Sequence, residues 1–360
     1  MELAAVRARA RAAVATVLRE HGLPLAIVAT HAAVYQAGIV LGWLPDPLGP
    51  LLAVRHTRTI VLVAIAWLPL LGALAVVRTR GQGLRAAWRH FRACYGNAAT
   101  LLGLLPGAFF FAQSALVHDH WKNLLGVRTP YTWDATLARV DQVIHFGAHP
   151  WQLLDPFFRS HALTMALDTA YWLWYPLLTV AGSWILWTCH RELRTRILVT
   201  WALVWVVCGT MLAHLMASGG PVFYHHLVEG ASPYHDLRTH LQAVHALEPL
   251  TAVNLQRLVW ENAASGNTSQ WLAMSAMPSL HVGAPVLLAL GATARHPAPG
   301  ALLWAFAIVI LLGSIYLGWH YALDGYVALL ACVLLWRVAG WAVRPRQSVQ
   351  RVGNRELHEL

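Results

Sequence analysis

Eight apolar runs dominate this chain, at residues 25–44, 59–77, 99–117, 164–187, 197–217, 279–295, 300–318 and 321–343. About 20 consecutive apolar residues is what an α-helix needs to cross a hydrocarbon layer. Charged residues are 12% of the chain, about half the share found in soluble domains. The sequence therefore predicts an all-α polytopic membrane bundle of about eight transmembrane helices. Its 18 tryptophans suit aromatic belts at the two membrane interfaces.

The basic residues set an expected orientation. One side of such a bundle holds the N-terminus, residues 78–98, 188–196 and 295–299, and the C-terminal tail, with 17 lysines and arginines. The other side holds 45–58, 118–163 and 218–278, with 8 in far more loop sequence. The positive-inside rule puts both termini in the cytoplasm and the long loops outside. The expected layout is a cytoplasmic amphipathic segment 1–24, N-terminal spans in 25–117, and an extracytoplasmic interfacial loop 118–163. A catalytic core 164–343 follows, containing the loop 218–278, and then a cytoplasmic tail 344–360. Arg7, Arg9, Arg11 and Arg19 make residues 1–24 either a helix lying on the membrane surface or a frayed basic tail. No cleavable leader is expected. Because the arginines sit beside spans, the net charge of +10 does not point to nucleic acid. Cys94, Cys189, Cys208 and Cys332 have neither metal-ligand nor disulfide-framework spacing.

Two segments carry the chemistry. One is Met277-Pro278-Ser279-Leu280-His281; the other runs from Gly313-Ser314 to His320 and Asp324. An ionisable group beside an apolar run is costly and marks a functional site. His320 and Asp324 are four apart, one face of a helix, so the carboxylate would hold one ring nitrogen and leave the other to attack phosphorus. Ser279 reads as a helix cap whose first turn presents N–H donors to a phosphate. His281, in that turn, would protonate the leaving oxygen. These roles need no metal or other cofactor. The competing reading makes both histidines polar glue between helices.

These residues also carry a family resemblance. P-S-x-H followed by S-x5-H-x3-D resembles the second and third signatures of the type-2 phosphatidic acid phosphatase superfamily, over roughly residues 160–340. The resemblance implies that His320 is the nucleophile, that His281 is the acid, and that a phosphohistidine forms without metal. Gly313-Ser314 in place of Ser-Arg, and Leu280 in place of Gly, resemble the branch of inositol phosphorylceramide synthases and related bacterial lipid phosphotransferases. The implied partner is a phospholipid or other amphiphilic phosphate in the membrane. The first signature, K-x6-R-P, is broken: Pro221 aligns, but Ala213 and Gly220 replace Lys and Arg.

With Ser314, three expected cations are missing. The candidates to neutralise phosphate are Lys122, the chain's one lysine, Arg128, His225 and His226. The lysine equally fits plain arginine-rich usage. Gly219-Gly220-Pro221, followed by Tyr224, is either an ordinary turn or a place where backbone N–H groups meet phosphate. His225, His226, His235, His240 and His245 leave zinc binding open. Asp168, Tyr171 and Trp174 would line a headgroup pocket. Trp133-Asp134, Asp141 and Trp151 read as short interfacial helices forming a lid, and also resemble the same branch. The expected activity is lipid phosphotransfer, and the alternative enzyme is a lipid phosphate phosphatase acting on phosphatidic acid or a polyprenyl phosphate. A non-enzymatic transporter or scaffold is the competing class, but no internal repeat supports it.

Overall fold

The computed structural model describes residues 2–44, 51–80, 82–188, 190–265 and 273–343, with side chains from residue 4 onward except 51–56. Among the described residues all extended structure is helical, apart from one isolated bridge between Leu125 and Thr129. The tail 344–360 and Cys189 lie outside the described residues; Cys208 and Cys332 are buried free thiols.

The N-terminal part contains α1 (Glu2–Val40), α2 (Leu51–Ala66), α3 (Leu68–Arg78), α4 (Leu84–Cys94) and α5 (Ala98–Lys122). Next come the short α6 (Asp134–Ile144) and α7 (Pro150–Phe158), then α8 (His161–Trp172) and α9 (Trp174–Leu186). α10 (Arg191–Val206) continues through a π-helical turn, Val207–Leu212, into α11 (Ala213–Leu215). A loop region follows with α12 (Tyr224–Leu227), α13 (His235–Leu247) and α14 (Thr251–Ala264). The chain ends its described part with α15 (Leu280–Thr293), α16 (Pro297–Tyr316) and α17 (Ala322–Val343).

Among the described residues six stretches are long and apolar enough to cross a membrane: Ala4–Val40, Thr57–Arg78, Ala98–Lys122, Arg191–Leu215, Pro297–Tyr316 and Ala322–Val343. The two other expected spans exist as helices but differ in form. The run 279–295 is α15, with 14 residues, or about 21 Å at 1.5 Å per residue. It is buried along nearly its whole length, from Val282 to Ala289 and at Gly291, so it is sheathed by protein and packs on α10, α16 and α17. The run 164–187 is divided into α8 and α9 at Leu173. Pro176 has no N–H to return to the Trp172 carbonyl, which breaks the helix there. The break turns Trp174 and Tyr175 toward His281.

The start of the chain also differs from the expected layout. α1 runs unbroken past residue 24, and Ala13, Thr16, Glu20 and His21 are buried. Glu20 pairs with Arg194 and lies 3.3 Å from Arg191 of α10. A buried carboxylate with those partners fixes this helix to the bundle rather than to a surface. In the centre, Gly283 faces Val204 and Ala328, while a Cβ on Gly325 would collide with Leu311. Small residues at these crossings let helix backbones approach, as membrane bundles require.

Candidate active site

His320 is held in the short connection between α16 and α17. The Trp319 and His320 N–H groups both donate to the Ser314 carbonyl at 3.0 Å, which curls the chain over the end of α16. Nδ1 of His320 lies 2.7 Å from the Ala276 carbonyl and 3.4 Å from Oδ2 of Asp324. Both neighbours are acceptors, so this network assigns the proton to Nδ1 and leaves the Nε2 lone pair free. This corrects the expected geometry. His320 precedes α17, and the pair meets because the Tyr321 N–H donates to Asp324 Oδ2 at 2.9 Å, half of a capping box. The shorter partner of the imidazole is a backbone carbonyl that no motif announces.

Ser279 caps α15, its Oγ accepting the Val282 N–H at 3.3 Å. Its own N–H donates to the Asp324 carbonyl at 3.1 Å, so the two signature segments are bonded to each other. Ser279 is fully buried and acts as the cap. The His281 ring stands 5.8 Å from that of His320. It stacks on Tyr171 at 5.1 Å and tilts against Trp174 at 4.4 Å. Those aromatics belong to the split span, so the break at Pro176 builds one wall of the histidine's chamber.

Three buried aspartates carry the frame. Asp134 accepts N–H groups from Gly219 (3.0 Å) and Gly220 (2.9 Å) and the Tyr321 hydroxyl (2.8 Å). Asp141 accepts from Ala322 (2.7 Å) and Leu323 (2.9 Å) at the start of α17. Asp168 accepts from Thr251 (2.8 Å) and Ala252 (3.0 Å) at the start of α14. Charge-assisted bonds of this kind are the strong ones, and anions suit helix N-termini. Burial pushes the Asp134 carboxyl above its ordinary range, and its donors from Gly219, Gly220 and Tyr321 pull it back.

Several sequence expectations change as a result. The N–H of Gly220 belongs to Asp134, and Pro221 has none, so this turn offers no anion cradle. A Cβ on Gly220, at φ 108°, would strike the Trp319 carbonyl, which is why glycine stands there. Asp168 holds α14 instead of lining a headgroup pocket. α6 is a brace bonded to the connection that carries His320, not a free lid. Asp134 and Asp141, seven apart and so on one helix face, were the legible signal of that brace. Tyr224 packs against Tyr234, and Arg128 is exposed on a turn. His225 tilts against His226, and His226 stacks on Trp260. Burial, then His226 and Arg238, pull the His225 pKa down to about 4, which favours its neutral form. His240 bonds Thr164 (3.2 Å) and His245 accepts the Leu250 N–H (2.9 Å). No three possible ligands converge among the described residues.

Two cavities meet at the histidines. The larger, about 480 Å³, starts at His118, Asp119 and Lys122 and ends among Phe111, Gly182, Trp201 and Trp205. The smaller, about 60 Å³, is walled by Tyr171, Trp172, Phe223 and Trp319. Lys122, Tyr175, Ser275, His281 and His320 line both. Lys122 ends α5, His281 opens α15 and His320 lies in the connection from α16 to α17, which places those helix ends on one side of the bundle. The first turn of α15 borders the larger cavity and has no carboxylate partner among the described residues. The first turn of α17, by contrast, is filled by Asp141 and Asp324.

Residues 135–338 match a family model described as the PAP2 superfamily. No curated protein and no solved structure matches the chain.

Proposed function

Since this chain belongs to the PAP2 superfamily, we propose that it is a membrane phosphotransferase acting on an amphiphilic phosphoester through a histidine-bound intermediate. The observation that carries this reading is a free imidazole nitrogen at the mouth of a long apolar cavity. A hydrocarbon chain fits the Phe111–Trp205 end while its phosphate lies at His281 and His320. Such cavities are the usual form of ligand sites.

In the first step His320 Nε2 donates its lone pair to phosphorus. The P–O bond to the leaving group breaks, and protonated His281 gives that oxygen its proton. In the second step an acceptor hydroxyl attacks phosphorus and the P–N bond breaks. Neutral His281 takes the hydroxyl proton, which restores the site. The imidazolium that develops on His320 is steadied by Ala276 and Asp324. A phosphodiester, with one negative charge, suits a site poor in cations better than a monoester dianion. The second, aromatic-walled cavity supports an acceptor bound apart from the apolar chain. The replacements at Gly313-Ser314 and Leu280 favour the branch that resembles inositol phosphorylceramide synthases. The 17-to-8 partition of basic residues favours an extracytoplasmic site.

The test is purified enzyme with a panel of phospholipids, with and without alcohol acceptors, read by mass spectrometry. A phosphodiester lipid should be consumed faster than phosphatidic acid, and an acceptor should yield a new phosphodiester. Release of inorganic phosphate alone, at one rate with or without acceptor, would make this a phosphatase instead.

A further inference from the structure

A phosphoryl group needs positive charge beside it as the transition state forms, and the structure removes the usual sources. Ala213 is a buried methyl. Gly220 is bonded to Asp134. Ser314 donates its hydroxyl to the Leu311 carbonyl at 2.8 Å, and its own carbonyl holds Trp319 and His320. Arg128 faces solvent. Among the described residues, Lys122 is the one lysine or arginine on the wall of either cavity, and it is on both.

Its placement is built. Lys122 ends α5, which packs on α9 and on the π-helical turn of Val207–Leu212. The turn after it closes when Leu125 donates to the Lys122 carbonyl at 3.1 Å. Just downstream, the Tyr131 hydroxyl donates to the Met274 carbonyl at 3.0 Å. Thr132 and Trp133 donate to the Ala217 carbonyl. These bonds tie the segment after α5 to the chain leading into Pro278-Ser279 and to the chain just past the end of α11. The Lys122 side chain has no hydrogen bond and no ion pair within 4 Å among the described residues. Asp119, one turn earlier, lines the same larger cavity, a carboxylate that balances the ammonium while no phosphate is present.

We infer that Lys122 is the cation that binds the phosphoester at His320, and that it enters the site from a helix outside the segment matching the family. This rests on the reaction proposed above. An N-terminal helix thereby replaces the missing signature cations with a single charge. That single charge matches a phosphodiester monoanion one to one.

The test compares Lys122→Met, Lys122→Gln and Lys122→Arg with His320→Ala as control, all purified in detergent. Each neutral variant should lose about 10²–10³-fold in kcat/KM. Inorganic phosphate should inhibit them at least about tenfold less well as a competitive ligand, since it loses its counter-charge. Lys122→Arg should recover most of both quantities, whereas a lysine used only for packing would show no such dependence on charge. The inference fails if either neutral variant melts with wild type and keeps kcat/KM and phosphate inhibition within about threefold while His320→Ala is inactive. It fails equally if neither neutral variant folds and Lys122→Arg binds phosphate no better than the His320→Ala control. Retained activity in His320→Ala would instead overturn the reaction itself.

Discussion

The two ends of this bundle solve one problem with opposite charges. At the end that holds the histidines, buried carboxylates take up backbone N–H groups: Asp134 at Gly219 and Gly220, Asp141 at Ala322 and Leu323, Asp168 at Thr251 and Ala252. At the other end guanidiniums take up backbone carbonyls. The buried Arg194 donates to Leu186 and Thr188 at the end of α9, and the half-buried Arg196 donates twice to the Trp336 carbonyl within α17 at 3.0 Å. Gly340 leaves the space for Arg196, where a Cβ would meet the guanidinium. Helix starts expose donors and helix ends expose acceptors, so each kind calls for its own sign. The consequence reaches the chemistry. Acids consumed as struts leave the imidazoles free, and arginines consumed at the far end leave the site with one lysine.

The comparison breaks most sharply at the histidines. His320→Ala should abolish turnover with an unchanged melting temperature, because the attacking nitrogen is gone; activity above about a tenth of wild type would end the phosphohistidine mechanism. His281→Ala should cost about 10²–10⁴-fold in kcat, with the protein still inserted and folded.

A smaller effect should follow from the struts. Asp141→Ala orphans two buried N–H groups beside Asp324, at about 1–3 kcal/mol each. It should also shift His320 enough to lower kcat about tenfold or more. A fall in stability with kcat intact would show that the α17 start does not position the nucleophile.

The opposite end should behave in reverse. Arg194→Ala leaves the buried Glu20 carboxylate with the more exposed Arg191 alone and should cost about 3–5 kcal/mol, with kcat per folded molecule within about twofold. Arg194→Met combined with Glu20→Gln should regain much of that stability. Loss of kcat in the folded single variant would mean that the two ends are coupled.

The least intrusive test concerns sidedness. In a background lacking the four native cysteines, His235→Cys should react with a membrane-impermeant thiol reagent applied to intact cells, and Arg85→Cys should not. Labelling of Arg85→Cys alone would reverse the bundle and put the histidine end in the cytoplasm.

Much of the bundle was legible from local pattern. Apolar runs mark spans because burial in hydrocarbon acts on each residue, and His281, His320 and Asp324 stand out because ionisable groups beside such runs are costly. Even so, the proline that splits α8 from α9 was visible, while its use as a wall for His281 was not. The sequence by itself determined the all-helical class and the places of the apolar runs, and it singled out His281 and His320 as the candidate pair. Only the tertiary structure decided which carbonyl holds His320, which aspartate fills which helix start, and which cation lines the cavities beside the histidines. Partners such as Ala276 and His320, or Asp134 and Gly220, are far apart in sequence, and nothing periodic links them. Their bonds exist only once the helix ends that carry them have been brought to one side of the bundle.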